Sequence, residues 1–214
     1  ASRVIVHAMP PLVQRGLDLI GEEAEDHLVQ TVLHKATTTL SRHMHQKSRV
    51  CTGLNGWGAT LVGVLLRGHN AHLINVGDSR AYLLREKNLV QLTSDDSVVN
   101  KLLEEGMLVT ADFEHQHHNM VLQHIAMKET VTPAVRIVQM QKGDRLLLCT
   151  DGLTEPVPDH VIGQLLLAHT DPSRASQALT TAANDGPCGR SSPAIECFNS
   201  FVDASEAGYH RLSW

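Results

Sequence analysis

The chain lacks the residue patterns that mark several large functional classes. Aromatic residues make up only 3% of its 214 residues, so it offers few platforms on which nucleic acid bases could stack. Its 18 Lys and Arg residues are outnumbered by 23 Asp and Glu, and the net charge of −5 argues against a broad basic surface for nucleic acid or anionic lipid. No apolar run approaches the ~18 residues of a membrane-spanning helix. These absences predict a protein that binds neither nucleic acid nor membrane.

The cysteines do not indicate a disulfide framework or a zinc site. Cys51, Cys149, Cys188 and Cys197 are scattered and form no Cys-x-x-Cys pair. A disulfide scaffold or a thiolate zinc site would need tighter grouping, so we expect reduced thiols in a cytosolic protein. The first residue, Ala1, is neither an initiator Met nor the start of a signal pattern, and we expect the chain to be part of something longer.

What is present indicates a folded protein, with 42% apolar and 19% charged residues. Helical spacing covers 1–20, with a break predicted at Pro10-Pro11, and 22–45. Short β-type runs follow at 59–66, 71–76, 80–84, 89–92, 131–140 and 145–149. Further helices are predicted at 98–105, 159–168 and 173–183, the last two opened by an Asp or Ser cap, and the polar stretch 110–128 is predicted to be a helical or mobile excursion. This order favours an α+β or layered sandwich fold over a parallel βαβ fold.

The first informative motif is Asn75-Val76-Gly77-Asp78-Ser79-Arg80-Ala81-Tyr82. It reads as a strand, a tight turn with unusual dihedral angles at Gly and Asp, and a second strand. Taken alone, the motif is equally typical of an ordinary hairpin.

The second motif places Asp151 at the carboxyl end of the apolar run 145–149, directly before Gly152. A carboxylate at the end of a buried strand suits a hard divalent cation such as Mg²⁺ or Mn²⁺, and its burial without a cation or donors would be costly. The alternative is an Asp that begins a turn.

The third motif, Leu92-Thr93-Ser94-Asp95-Asp96-Ser97, sets two carboxylates where a strand ends and a helix begins. A helix cap is the simpler interpretation. The histidines offer a rival site, because His115, His117, His118 and His124 could share a helical face and bind a transition metal. A solvated segment is the favoured interpretation of these histidines.

In order and spacing, the three motifs together resemble the metal-dependent protein phosphatases of the type-2C (PPM) family, in their bacterial form. The resemblance covers roughly 1–183 and includes Gly58-Ala59-Thr60-Leu61 and Thr150-Asp151-Gly152-Leu153-Thr154. His115 and Asn119-Met120-Val121-Leu122 resemble the flap of that family, and Ala1-Ser2-Arg3-Val4 resembles the helix after its Asp-Gly-Met-Gly-Gly-His turn.

The resemblance implies an α+β fold with a central antiparallel β-sandwich flanked by helices, as one phosphatase-like domain over 1–202 without its N-terminal strands, followed by a tail over 203–214. It also implies two Mn²⁺ or Mg²⁺ ions and a bridging hydroxide that attacks phosphoserine or phosphothreonine in line. Asp151 would be a ligand of this centre, and Asp95 would help it to hold a third metal near the flap. Asp78 would be structural. The implied partners are phosphorylated proteins and a cognate protein kinase, and the implied state is a monomer.

Two departures from the family pattern concern the metal ligands. The chain begins after the first acidic motifs of the family, and the closing Asp-Asn should fall near Ser191-Ser192, neither of which is acidic. Asp185 is at best a displaced substitute. Two functional classes therefore stay open: a phosphatase whose other acids lie upstream, or a phosphatase-like module that only recognises a partner. We expect weak or absent activity from these 214 residues.

Overall fold

A computed structural model of the chain describes residues 1–54, 56–117, 120–185 and 212–213. These residues form two compact units, and each unit is built from three separate segments of the chain. The first unit comprises Ala1–Leu61, His72–Asp78 and Ser94–Ile137, and the second comprises Val62–Ala71, Ser79–Thr93 and the described part of 138–214. The single domain over 1–202 stays a prediction, and the predicted tail at 203–214 lies almost wholly outside the described residues.

The first unit is built on a helical hairpin of α1 (Ser2–Ile20) and α2 (Asp26–Val50). The buried residues of α1 fall at every fourth position, and those of α2 follow helical spacing, as packing of one apolar face requires. The buried residues are Ile5, Met9 and Val13 in α1, and Val29, Val32, Leu33, Ala36, Thr37, Leu40, Ser41 and Met44 in α2. The two helices come close at Gly16, where an added Cβ would lie 2.5 Å from Cγ1 of Val32.

The predicted break at Pro10-Pro11 is wrong, because α1 continues through both prolines. Each proline removes one N–H donor from the helix. The buried residues Met9 and Val13 lie on either side of the pair, so packing fixes both halves of the helix. Tertiary contacts here override a strong local signal.

The strands of the described residues form two sheets. Their bounds are β1 (Leu61–Arg67), β2 (Asn70–Val76), β3 (Arg80–Arg85), β4 (Asn88–Gln91), β5 (Ala134–Gln139), β6 (Arg145–Cys149) and β7 (Leu212–Ser213). One sheet has the order β5-β2-β1-β7 and the other the order β4-β3-β6. The pairs β1·β7, β3·β4 and β3·β6 are antiparallel. Mixed helices and antiparallel sheets confirm the α+β class.

Strands β1, β2, β3 and β6 are buried at nearly every position. An antiparallel sheet with one wet face shows alternating burial instead, so both faces of these strands are covered. The edge strand β4 alternates between exposed and half-buried residues.

The remaining helices are α3 (Val98–Glu104), α4 (Ala111–His117), α5 (Asp151–Thr154), α6 (Asp159–Ala168) and α7 (Pro172–Asn184). The predicted bounds of β6 and α6 are confirmed to the residue. The predicted Ser cap of α7 is wrong, because the Asp171 carboxylate accepts a bond of 2.9 Å from the Arg174 N–H. α6 begins after Pro158 without a side-chain cap, and Asp159 lies in its first turn.

The second unit has one apolar core under α5, α6 and α7. Its buried members are Tyr82, Leu84, Leu147, Cys149, Leu153, Val157, Ile162, Leu166, Ala175, Leu179 and Ala183. The Tyr82 hydroxyl bonds Asp159 Oδ1 at 3.0 Å and accepts a bond of 3.1 Å from Arg80. Burial raises the pKa of this hydroxyl, against the opposing effect of Arg80, so Tyr82 stays neutral and can donate to Asp159.

An ion pair between the buried Asp144 and the partly exposed Arg85 fastens the turn before β6 to the end of β3. The Asp144 carboxylate is 3% exposed and accepts bonds from Arg85 Nε at 2.9 Å, Arg85 Nη2 at 2.6 Å and the Gln141 N–H at 2.7 Å. Burial opposes ionisation of Asp144, but these bonds outweigh it and hold the pKa of the carboxyl below its ordinary value.

No helix within the described ranges is long and apolar enough to cross a membrane. Cys51 is exposed and Cys149 is buried, and both are thiols rather than disulfides. Cys188 and Cys197 lie outside the described residues.

Candidate functional site

The two predicted metal ligands lie in different units. Asp95 belongs to the first unit, in the turn between β4 and α3, and Asp151 belongs to the second, as the first residue of α5. Each has a distinct local environment, which decides what its carboxylate can do.

Ser97 caps the N-terminus of α3, and neither Asp95 nor Asp96 does so. The Ser97 hydroxyl accepts a bond of 3.1 Å from the Asn100 N–H, as an N-cap residue does. The interpretation of the two carboxylates as the helix cap is therefore wrong, because Ser97 is the N-cap residue. Both neighbouring carboxylates, Asp95 and Asp96, are left for other partners.

Asp96 joins three segments of the first unit. Its Oδ2 accepts bonds of 2.8 Å from the Gly77 N–H and from Gln123 Nε2. The Asp96 N–H donates to the Gly77 carbonyl at 3.0 Å, and the Leu122 N–H donates to the Asp96 carbonyl at 2.7 Å. This carboxylate is occupied by protein donors, so we assign it a structural role.

Gly77 is required at the turn that Asp96 holds. Its φ of 103° lies in the region that favours glycine, and an added Cβ would come within 2.4 Å of Thr60 Cγ2. The Asn75 amide supports the same turn, donating to the carbonyls of Gly77 and Ser94 at 3.2 Å each. The structural role predicted for Asp78, which is half-buried, stays a prediction.

Asp95 lies in a segment that side chains of α3 hold in place by hydrogen bonds. Asn100 Nδ2 donates to the Asp95 carbonyl at 3.1 Å and to the Ser94 hydroxyl at 2.8 Å. Ser94 in turn donates to Glu104 Oε1 at 2.9 Å. The half-buried Asp95 is therefore carried by ordered backbone, although it lies outside any helix or strand.

A polar cleft of about 660 Å³ opens beside this segment. Acidic and basic side chains share its wall, so the cleft is not a simple anion or cation site. It is lined by Ser94, Asp95, Asp96, Ser97, Lys101, Glu104, Leu122, Gln123, Met127, Lys128, Thr130, Val131, Thr132 and Ala134.

Asp151 follows the buried strand β6, as predicted, but its side chain is exposed. Thr150 begins the short helix α5 at this point, and Asp151 Oδ1 accepts a bond of 2.8 Å from the Gly152 N–H. The expectation that Asp151 is a buried carboxylate that needs a cation is therefore wrong. An exposed carboxylate is hydrated by water, so its position alone does not require a metal ion.

Two of the four histidines of the rival site are used in local contacts. His117 stacks on Phe113 with ring centroids 4.1 Å apart and donates from Nδ1 to the Phe113 carbonyl at 2.9 Å. His124 Nδ1 donates to the Ile125 carbonyl at 3.0 Å. His118 and Asn119 lie outside the described residues, as does the position of Ser191-Ser192, and only the backbone of His115 is described.

The described residues include the right kind of metal ligand, but too few of these ligands lie together to form a metal centre. The carboxylate oxygens of Asp95 and Asp151 are donors that Mn²⁺ and Mg²⁺ accept. Across 1–54, 56–117 and 120–185, however, no group of three His, Cys, Asp or Glu side chains gathers where it could hold a metal ion. The described carboxylates alone do not make a two-metal donor set.

Three amide side chains that order this site are not marked as functional by any sequence motif. Asn75 stands in the first motif, yet nothing in the pattern assigns it a partner 19 residues away. Gln123 bonds Asp96 and, at 2.9 Å, the Thr132 carbonyl, and no sequence signal marks it. Asn100 was predictable only as a residue in the first turn of α3.

Removing the Asp96 carboxylate tests this network. We expect Asp96→Ala to lower the free energy of unfolding by about 1–3 kcal/mol, because it leaves the buried Gly77 N–H without its acceptor. Asp96→Asn keeps one amide oxygen and should cost less. Chemical denaturation measures both values, with Glu105→Ala as the control at an exposed acid close by. Equal midpoints for Asp96→Ala and Glu105→Ala would contradict the assigned role.

Comparison with known proteins gives a consistent match. A family model for protein phosphatase 2C matches residues 1–182. The serine/threonine phosphatase stp of Listeria monocytogenes serotype 4b is 34% identical over 157 residues, which cover 73% of this chain and 62% of that protein. The structure of the serine/threonine phosphatase Stp1 from Staphylococcus aureus is similar with a TM-score of 0.74 and 26% identity, covering 86% of this chain and 73% of that one.

A second solved structure is informative about metal. The catalytic domain of the serine/threonine protein phosphatase PstP, in complex with two manganese ions, is similar with a TM-score of 0.64 and 28% identity. The similarity covers 83% of this chain and 74% of that one. The chain spans less than two thirds of the length of the curated Listeria relative, at 62%.

Proposed function

Because this chain belongs to the protein phosphatase 2C family, we propose that it is a metal-dependent serine/threonine phosphatase that hydrolyses phosphoserine and phosphothreonine in proteins. The observation that carries the proposal is the family match over residues 1–182, which includes all three motifs. The named relatives are serine/threonine phosphatases.

The proposed cofactors are two Mn²⁺ or Mg²⁺ ions, after the two manganese ions bound by the PstP catalytic domain. We propose Asp151 as a ligand of this pair of ions, and Asp95 as a residue that helps Asp151 to hold a third, weaker metal. When bound, such ions supply a hydroxide nucleophile at neutral pH and offset the charge of the phosphoryl oxygens. In this chain, the bond from Asn100 to the Asp95 carbonyl and the backbone bonds of the neighbouring Asp96 hold Asp95 in place.

The polar cleft beside Asp95 is the proposed contact region for the substrate protein. Lys101 and Lys128 bring two positive charges to a wall that otherwise carries carboxylates. The three carboxylates of Asp95, Asp96 and Glu104 outnumber these lysines, so the proposed ligand is a protein segment with charges of both signs. The kinase that phosphorylates these serine and threonine residues is the implied opposing partner, and we propose that the protein acts as a monomer in cytoplasmic signalling.

We further propose that the two sheets stack as a β-sandwich with helices on the outside. The near-continuous burial of β1, β2, β3 and β6 supports this arrangement, because each of these strands is covered on both faces. α6 and α7 border the core of the second unit.

A phosphatase-like binding module is the second candidate function. It is favoured by the observation that no three metal-binding side chains gather among the described residues. Such a module would keep the polar cleft and recognise a phosphoprotein without hydrolysing it.

A single assay of the 214-residue chain separates the two functions. We expect slow release of phosphate from a phosphothreonine peptide that depends on Mn²⁺ and stops when EDTA removes the metal. The release should be slow because the described donor set is incomplete. Phosphate release is measured by colorimetry, and peptide binding is measured in parallel by fluorescence anisotropy. Binding without any Mn²⁺-dependent release would support the binding module for these 214 residues, and brisk release would contradict the weak activity expected of them.

A further inference from the structure

An apolar groove of about 370 Å³ lies between α1 and α2 in the first unit, away from both predicted metal ligands in the sequence. One stripe of each helix forms its walls, and a tryptophan from the segment after α2 completes them. The lining residues are Val4, Ala8, Pro11, Leu12, Arg15, Leu40, His43, Met44, Lys47 and Trp57. The groove is independent of the cleft beside Asp95.

Part of the apolar surface of the groove is exposed to solvent. Leu40 and Met44 form a buried floor, at 4% and 3% exposed, whereas Val4 is 40% exposed and Trp57 is half-exposed. Trp57 is one of only two tryptophans in the chain. A concave apolar surface with an aromatic wall is the usual form of an anchor pocket for a partner side chain.

The charges around the groove have one sign. Among the described residues that line it, the ionisable side chains are Arg15, His43 and Lys47, and each of the three is exposed. No acidic side chain lines it, although the chain as a whole has a net charge of −5. An anionic partner is therefore favoured at this place on an otherwise acidic protein.

The two permanent cations lie at opposite ends of the groove. Gly16 packs against Val32, which sets the register of the hairpin, and Arg15 precedes Gly16. Lys47 follows Val32 by 15 residues, which is about 22 Å along α2 at 1.5 Å per residue. An extended peptide of six or seven residues spans the same distance.

We propose that this groove docks a short acidic segment of a partner protein, with an apolar side chain seated against Trp57 and Met44 and carboxylates paired with Arg15 and Lys47. The site goes beyond the proposed phosphatase activity, since it requires no metal and no phosphate. A membrane is a poorer occupant, because the apolar atoms line a depression and do not protrude.

A synthetic peptide tests the site directly. The probe is a fluorescein-labelled segment of six residues, with a central pair of leucines flanked on each side by two glutamates. We expect saturable binding to the 214-residue chain by fluorescence anisotropy, with a change in tryptophan emission, since the probe contains no tryptophan. Replacing the glutamates by glutamines, or the leucines by serines, should weaken binding at least tenfold.

Two charge reversals at the end of α2 form the matched pair of variants. Lys47 and Arg49 both lie in the last turn of α2, so each reversal has the same unfavourable interaction with the helix dipole. Only Lys47 lines the groove. We expect Lys47→Glu to weaken the probe at least tenfold and Arg49→Glu to change its affinity less than twofold.

Three results would overturn the proposal. The first is that the probe does not bind selectively, either because it fails to bind at 1 mM or because both reversals weaken it equally. The second is co-sedimentation of the chain with phosphatidylglycerol vesicles that Lys47→Glu abolishes, which would identify a lipid surface as the occupant. The third is a dimer in analytical ultracentrifugation that Lys47→Glu dissociates, which would identify a second copy of the chain. Phosphate release is not a readout in any of these measurements, so failure of the phosphatase proposal would leave them unaffected.

Discussion

Arg85→Ala should lower the free energy of unfolding by about 3 kcal/mol at neutral pH, the lower end of the range for a buried pair, because one third of the Arg85 side chain is exposed. Asp144 is 3% exposed and receives two of its three bonds from Arg85, at 2.9 and 2.6 Å. Without Arg85, the buried carboxylate keeps only the Gln141 N–H as a donor. Guanidinium chloride denaturation measures the loss, and Lys87→Ala, which removes one exposed positive charge from the same hairpin, should change stability by less than about 0.5 kcal/mol.

The pH dependence of this loss distinguishes an ion pair from simple packing. The pKa of Asp144 is held below its ordinary value, so its ionised form stabilises the native state above the unfolded pKa of about 3.9. That contribution disappears as the pH falls through the lower native pKa. The difference between the parent and Arg85→Ala should therefore shrink below about pH 4. A difference of the same size at pH 3 and pH 7 would show that Arg85 acts through its contacts and not through its charge.

The second large effect concerns Asp151. In the proposed role of Asp151 as a direct metal ligand, Asp151→Asn should reduce Mn²⁺-dependent phosphate release at least ~100-fold, more than the 10–100-fold effect typical of groups that only orient ligands. The fold should be unaffected, since Asp151 is exposed and its one described side-chain bond is to the neighbouring Gly152 N–H. Glu155→Gln, at an exposed acid one turn later, serves as the control that should retain activity.

Metal binding provides the second readout for Asp151. Titration calorimetry with Mn²⁺ should show weaker binding by Asp151→Asn than by the parent or by Glu155→Gln. Equal affinities of all three proteins, with equal activities, would make Asp151 a turn residue at the start of α5. Loss of activity with unchanged metal affinity would point to a role other than that of a ligand.

Local patterns predicted the elements that local forces determine. The apolar run 145–149 and the helical spacing at 159–168 gave the bounds of β6 and α6 correctly, because each pattern is complete within its own segment. The break predicted at the prolines of α1 was wrong, because a local pattern does not show that Met9 and Val13 pack in the core and hold the helix together. Strand β5 begins at Ala134 and not at the predicted Val131. Before the strand, the Gln123 side chain donates to the Thr132 carbonyl and accepts from the Thr132 N–H, which ties the chain to a neighbouring loop.

The sequence by itself determined the family, the α+β class and the location of the acidic motifs along the chain. These properties depend on residue order and short-range periodicity, which can be read without coordinates. Only the tertiary structure decided which of these acids is held by protein donors. Asp95 and Asp96 are adjacent in the sequence, yet the carboxylate of Asp96 is committed to Gly77 and Gln123, which lie 19 and 27 residues away. Bonds across such distances depend on how the chain folds back on itself, and no local pattern records them.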